Sequence, residues 1–160
     1  MFVELESVFN NDGSSLAIDY SYSLDDESIA TPVHVVGEIF NKTGIVTLKA
    51  KATFDYATQC ALCCKPLVRH ATVPVHHILL TEIQDEDFDD LYVQVENMRL
   101  LVDDLVSEDI WLAIPPRFVC KEDCKGLCPR CGADLNVSEC SCPKKDVDIR
   151  LQGLADFFKD

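Results

Sequence analysis

Long apolar runs are missing from this sequence. No stretch approaches the roughly 18 consecutive apolar residues of a membrane helix, so no membrane span is expected. The opening residues, Met1 to Glu6, have neither a basic start nor an apolar run of roughly 7–15 residues, so no secretory signal is expected either. Glycine is scarce, six in 160 residues, and no Gly-rich phosphate loop appears. None of His34, His70, His76 or His77 has Glu two residues on, as a zinc deaminase requires, and His-Glu-x-x-His is absent. Positive charge is also in short supply: 14 Lys and Arg face 28 Asp and Glu, for a formal net charge of −14. Affinity for phosphate comes largely from Lys and Arg, so the balance argues against a chain that wraps nucleic acid with its whole surface. A basic protein partner fits it better; the plain alternative is that the charge only keeps the chain soluble.

Cysteine is abundant. There are nine, and an odd count leaves one thiol over in a purely disulfide-bonded protein. Without an export signal a reducing, cytoplasmic compartment is expected, where close cysteine pairs are more often metal ligands. With 48% apolar residues the chain can bury a core.

Residues 1–98 read mainly as strands. Phe2 to Leu5 alternates, Pro32 to Phe40 is β-branched and apolar, and Gly44 to Phe54 and Val68 to Leu80 form two longer runs. Asn41-Lys42-Thr43-Gly44 predicts a hairpin turn, and Pro74 predicts an edge or a bulge. The acidic stretch Glu82 to Asp90 lacks the spaced ligands and central Gly of a calcium-binding hand and is expected to be a solvated loop. Residues 101–113 change to a helical period. Leu101, Leu105 and Leu112 share one face beside Val102, Val106 and Ile110, and Asp103, Asp104, Glu108 and Asp109 mark the other. Pro115-Pro116 ends the helix, and Trp111 is expected to anchor a core or an interface. The expected fold is α+β: an antiparallel sheet or small barrel over 1–116 with one packing helix, a cysteine-rich zinc module over 117–146, and a short C-terminal helix over 147–160.

The strongest local motif is Leu127-Cys128-Pro129-Arg130-Cys131-Gly132. Two cysteines separated by two residues can aim both sulfurs at one metal from a tight turn, and the Gly after them allows the positive φ that such knuckles use. Cys120, Cys124, Cys140 and Cys142 lie close by, six cysteines in 23 positions. A second pair, Cys60-Ala61-Leu62-Cys63, lies between two expected strands, with Cys64 directly after it. Setting Cys64 aside leaves eight candidate ligands: Cys60, Cys63, Cys120, Cys124, Cys128, Cys131, Cys140 and Cys142. Eight suffice for two four-cysteine sites, one of which could pin the tail to the sheet through Cys60 and Cys63. A single zinc in the tail, with Cys60 and Cys63 as reduced thiols, fits the sequence as well. Knuckle spacing and sulfur ligands favour Zn2+ over an iron–sulfur cluster. Sites closed by four cysteines are structural, so no catalytic residue and no small-molecule substrate are expected. A thioredoxin-like use of Cys60 and Cys63 would need a βαβ unit, which the pattern lacks. Redox sensing by the pairs, and a zinc-ribbon adaptor for transcription or another protein complex, are functions such cysteines could serve.

Cys120 through Asn136, followed by Cys140-Ser141-Cys142, resembles the YceD family, the large ribosomal RNA subunit accumulation proteins. Cys60-Ala61-Leu62-Cys63 is similar to that family's upstream pair, Glu108 through Pro115 to its helix ending in Ala-x-Pro, and Asp148-Ile149-Arg150-Leu151 to its closing Asp-x-Arg-Leu. Two positions depart from it: Leu62 stands where the family usually has Arg, and Cys64 where an aliphatic residue is common. The resemblance implies a role in accumulation of 23S rRNA and assembly of the large ribosomal subunit, without enzymatic activity. Partners are then pre-ribosomal components, 23S rRNA or a basic ribosomal protein. Lys121, Lys125, Arg130, Lys144 and Lys145 make the tail the least acidic face and the expected RNA contact.

Overall fold

A computed structural model of the chain describes residues 1–82 and 92–142. They divide into two units: Met1–Gln59 with Pro66–Phe118, and Cys60–Lys65 with the chain from Val119 onward. The loop 60–65, which lies within the span 1–116 read from the sequence as one β-rich domain, groups with the second unit. Residues 144, 145 and 147–160, and the acidic stretch beyond Glu82, lie outside the described residues.

The first unit is built on a five-stranded sheet. Its strands are β2 (Ser15–Tyr22), β3 (Val33–Lys42), β4 (Ile45–Gln59), β5 (Pro66–Leu80) and β6 (Tyr92–Gln94), in that spatial order; β1 (Phe2–Glu4) pairs separately with β7 (Arg99–Leu101). Two helices complete it, the short α1 (Glu6–Asn10) and α2 (Val102–Ala113). Neighbours along the chain pair antiparallel from β2 to β5; a two-residue turn joins β3 to β4, six residues join β4 to β5, and ten join β2 to β3. The exception is β6, which runs parallel to β5 over Ile78–Leu80.

The sequence explains the pairing. Thr43 and Gly44 both take positive φ, 55° and 83°, and close β3 onto β4 with the Lys42↔Ile45 register. This is a two-residue turn whose twist matches that of the strands. Asn41, expected only as a turn residue, is also a buried tie. Its side-chain amide donates to Val8 O at 2.9 Å, and its Oδ1 accepts from Gly44 N at 3.1 Å. Pro74 pairs with Lys51 on one side, and among the described residues β6 reaches only Ile78–Leu80 on the other. A residue without an N–H is tolerated at such an open edge.

Alternate residues of each strand face one core. Val33, Val35 and Ile39 of β3, Val46, Leu48, Ala52 and Phe54 of β4, and Val73, Val75 and Leu79 of β5 are buried. From α2, Val102, Leu105, Val106 and Ile110 join the same core. One expectation for this helix needs correction: Leu112, placed on its buried face, is 84% exposed. It sits in the last turn, about 160° around the helix from Ile110 at 3.6 residues per turn. Of the two roles expected for Trp111, its 44% exposure removes the core and leaves the interface.

Asp109, expected on the solvent side, turns inward because a buried histidine meets it. His77 Nε2 lies 2.8 Å from Asp109 Oδ2 and donates to it, since an ionised carboxylate can only accept. His77 Nδ1 is buried without a hydrogen-bond partner. Exposed His76 faces the other way, as the two-residue period of a strand requires. Tyr20 and Tyr22 fasten the other end of α2: Tyr20 Oη donates to Asp103 Oδ1 at 2.7 Å, and Tyr22 Oη lies 2.9 Å from Ser107 Oγ.

Candidate metal centres

Among its described residues the second unit has no apolar core. None of the residues in the buried hydrophobic cluster belongs to it, and its buried members among the core-type side chains are Cys60, Cys124 and Cys128. Cysteine clusters occupy its centre.

The β4–β5 hairpin positions the first knuckle. Register runs to Gln59↔Pro66, leaving Cys60–Lys65 as a six-residue connection. Cys60 N donates to Lys65 O at 2.9 Å and Cys64 N to Cys60 O at 2.8 Å, which folds the loop over its own sulfurs. The second knuckle repeats those bonds at the same spacing: Cys128 N to Ala133 O at 2.8 Å and Gly132 N to Cys128 O at 2.9 Å. Cys64 therefore occupies the place that Gly132 holds in the other knuckle, and both take positive φ, 56° and 72°. A left-handed φ costs an L-residue roughly 1–2 kcal/mol that glycine does not lose. Cys64→Gly is expected to retain the full metal content and to stabilise the unit by up to about 1 kcal/mol, with glycine's extra freedom in the unfolded chain offsetting part of the gain. Metal analysis and thermal unfolding check it; loss of one equivalent of metal would make exposed Cys64 a ligand.

The eight remaining cysteines fall into two groups that could each hold a metal ion: Cys60, Cys63, Cys120 and Cys124, and Cys128, Cys131, Cys140 and Cys142. Within each group all sulfurs lie within 4.8 Å of one another. In the first, Cys60 Sγ is 3.8 Å from Cys124 Sγ, and Cys63 Sγ is 3.7 Å from Cys120 Sγ. A disulfide needs about 2.05 Å. Four sulfurs arranged tetrahedrally at about 2.3 Å from one ion stand about 3.8 Å apart. The spacing fits a metal and not a disulfide.

Backbone amides reinforce the fit. Burial pushes the Cys60 thiol up, but the amides of Cys63, Leu62 and Cys120 together outweigh it and bring the thiol down to about 6. The Cys120 N–H lies 3.3 Å from Cys60 Sγ. At Cys128 the amides of Cys131 and then Arg130, with the Cys140 thiol, also hold the value at about 6. Their neighbours go the other way. Contact with the Cys124 sulfur, then burial, pushes Cys120 up to about 12, and the Cys131 sulfur, then burial, does the same to Cys142. Four thiolates crowd one place, so without a cation they cannot all ionise; a divalent ion removes that repulsion.

Of the cations expected to meet RNA, Lys121, Lys125 and Arg130 are exposed, with Lys121 Nζ 3.4 Å from Asp123; Lys144 and Lys145 lie outside the described residues. The histidines contribute to neither metal group: His34, His70 and His77 lie against Asp19, Asp55 and Asp109. Sequence reasoning left Asp134 and Asn136 without a role. Asn136 Nδ2 is 3.6 Å from Cys124 Sγ, and Asp134 Oδ1 accepts from Asn136 N at 2.8 Å. The sign of it in the sequence is an Asx residue two positions before another, a pattern that bonds its own backbone.

The family model described as "Large ribosomal RNA subunit accumulation protein YceD" matches residues 48–158, a span that takes in both cysteine groups. A maize (Zea mays) protein, "Large ribosomal RNA subunit accumulation protein YCED homolog 1, chloroplastic", is 38% identical over 74 residues. That match covers 45% of this chain and 24% of the maize protein, so the chain spans about a quarter of the relative's length. No solved structure matches. Among the described residues, no helix is long and apolar enough to cross a membrane.

Proposed function

The chain belongs to the YceD family, and on that premise we propose that it is a non-enzymatic factor, stabilised by two Zn2+ ions, that promotes accumulation of 23S rRNA and assembly of the large ribosomal subunit. The observation that carries this reading is the family match over 48–158, which contains all eight clustered cysteines. The name of the maize relative agrees with it. Zinc suits the donor set because soft thiolates in a tetrahedron are its usual structural environment, and four protein ligands leave no open position for catalysis. Its work here is to fold a segment whose described residues form no apolar core. Such a site needs a reducing compartment, which the cytoplasm supplies.

Each zinc site made of four thiolates carries a net charge of −2, which deepens a formal charge already at −14. A basic ribosomal protein is therefore the favoured direct partner, with RNA contact local to the tail cations Lys121, Lys125, Arg130, Lys144 and Lys145. Exposed Trp111 offers an apolar contact of the kind protein interfaces use. The same features would serve a zinc-ribbon adaptor unconnected with ribosomes. The deciding experiment is depletion of the protein in its own host. A fall in 23S relative to 16S rRNA, with the protein sedimenting with large-subunit precursors, is the expected result. An unchanged ratio under complete depletion would leave the adaptor in its place.

A further inference from the structure

Asn136 stands between the two cysteine groups. It belongs to the stretch from Cys131 to Cys140, both ends of which are members of the second group. Its contacts reach the first. The side-chain amide lies 3.6 Å from Sγ of Cys124 and 2.8 Å from Oδ1 of Asp134, and its Oδ1 accepts the backbone N–H of Lys125 at 2.9 Å. An oxygen held by an amide donor, and a nitrogen held by a carboxylate, fix which way the amide faces. Its remaining N–H is aimed at a sulfur.

The backbone follows the same path. Leu135 N donates to Gly126 O at 2.9 Å, and Leu127 N donates to Leu62 O at 2.9 Å, inside the first knuckle. Gly126 packs so closely there that an added Cβ would come within 2.8 Å of Leu62 O. The chain between Cys124 and Cys128 is thus held on one side by the first knuckle and on the other by the stretch that the second group closes.

We propose that Asn136 couples the two metal centres. Metal at Cys128, Cys131, Cys140 and Cys142 orders the stretch from 131 to 140, presents the Asn136 amide to Cys124, and thereby raises the first group's affinity for metal. Donors to a ligating atom typically change metal affinity 10–100-fold, and about tenfold is expected here. Linkage makes the effect reciprocal, so filling the first group tightens the second by the same factor. The coupling rests on the reading that both groups take a divalent metal.

The test is titration of the full chain, stripped of zinc, with Co2+ against a competing chelator, read through thiolate-to-cobalt absorption. Two equivalents are expected to enter in one cooperative transition. Asn136→Ala, which keeps all eight cysteines, is expected to split it into two. Cys142→Ser, which disables the second group, should weaken the first about tenfold when Asn136 is present and by no further step alongside Asn136→Ala. Two equivalents that bind independently in the unmodified chain overturn the coupling. So does an equal loss from Cys142→Ser in both backgrounds. A chain that takes up no Co2+ overturns the metal reading itself, and the coupling with it.

Discussion

Replacing Cys124 with serine is expected to release one equivalent of zinc and to unfold the loop 60–65 and residues 119–127, while the five-stranded sheet keeps its pairing. The size of the effect follows from what the second unit lacks. Among its described residues the buried side chains of core type are three cysteines, all of them in the two four-cysteine groups. Apolar burial contributes little there, and the backbone cost of ordering each residue, about 1–2 kcal/mol, must be met by something else. Structural zinc supplies about 10–16 kcal/mol in small zinc-dependent modules. Serine keeps the size of the side chain but removes the thiolate, so three sulfurs remain where the ion needs four. Native mass spectrometry counts the zinc, and hydrogen exchange locates the loss of protection. Retention of two equivalents would show that Cys124 is not a ligand, despite its 3.8 Å approach to Cys60 Sγ.

The second large effect belongs to the sheet. Phe54→Ala is expected to destabilise the first unit by about 3–5 kcal/mol. Phe54 is 2% exposed, the last buried position of β4's inward row, and Ala71 is its partner on β5. A small residue across the strand pair cannot fill the space a lost ring leaves, so the cavity term adds to the lost transfer energy. Domains of this size hold about 5–15 kcal/mol in all, so the variant loses a large fraction of its stability. A fall in the denaturant midpoint with an unchanged slope is the expected reading. Val68→Ala on the same hairpin is the control: Val68 is 66% exposed and is expected to change stability by no more than about 0.5 kcal/mol. An equal loss in both variants would mean that the buried row is not the core.

Much of this arrangement is legible in the residues themselves. The Thr43-Gly44 turn, the long strands around it, the helix from Val102 and the partition of cysteine from apolar residues all follow from local chemistry. What local chemistry does not carry is distance. β2 alternates Leu16, Ile18, Tyr20 and Tyr22, yet two of these four are aromatics with polar tips, and they act inward only because α2 brings Asp103 and Ser107 to their hydroxyls. Asp109 looks like a solvent-side charge until His77, 32 positions away, is seen opposite it. The cysteines show the same division. Counting them leaves eight after Cys64, but the count fits one site or two. Only the β4–β5 hairpin, which turns Cys60 and Cys63 toward residues about sixty positions on, separates them into two groups.

That separation has a consequence for synthesis. A chain leaves the ribosome from its N-terminus, so the two groups become complete at different moments and over different spans. Cys60 and Cys63 emerge early and wait while some sixty further residues are made, since Cys60 and Cys124 are 64 positions apart. The other group needs only the short stretch from 128 to 142. Closing the longer loop from a random coil costs about 1.3 kcal/mol more, at roughly 0.6 kcal/mol per doubling of length. β2 to β5 lie wholly upstream of Cys120, so the sheet can form first and shorten that search. The nascent chain then carries a half-built thiolate pair on a finished hairpin, and a translation product cut short before Cys120 exposes that pair without partners, a mark by which an unfinished copy differs from a complete one.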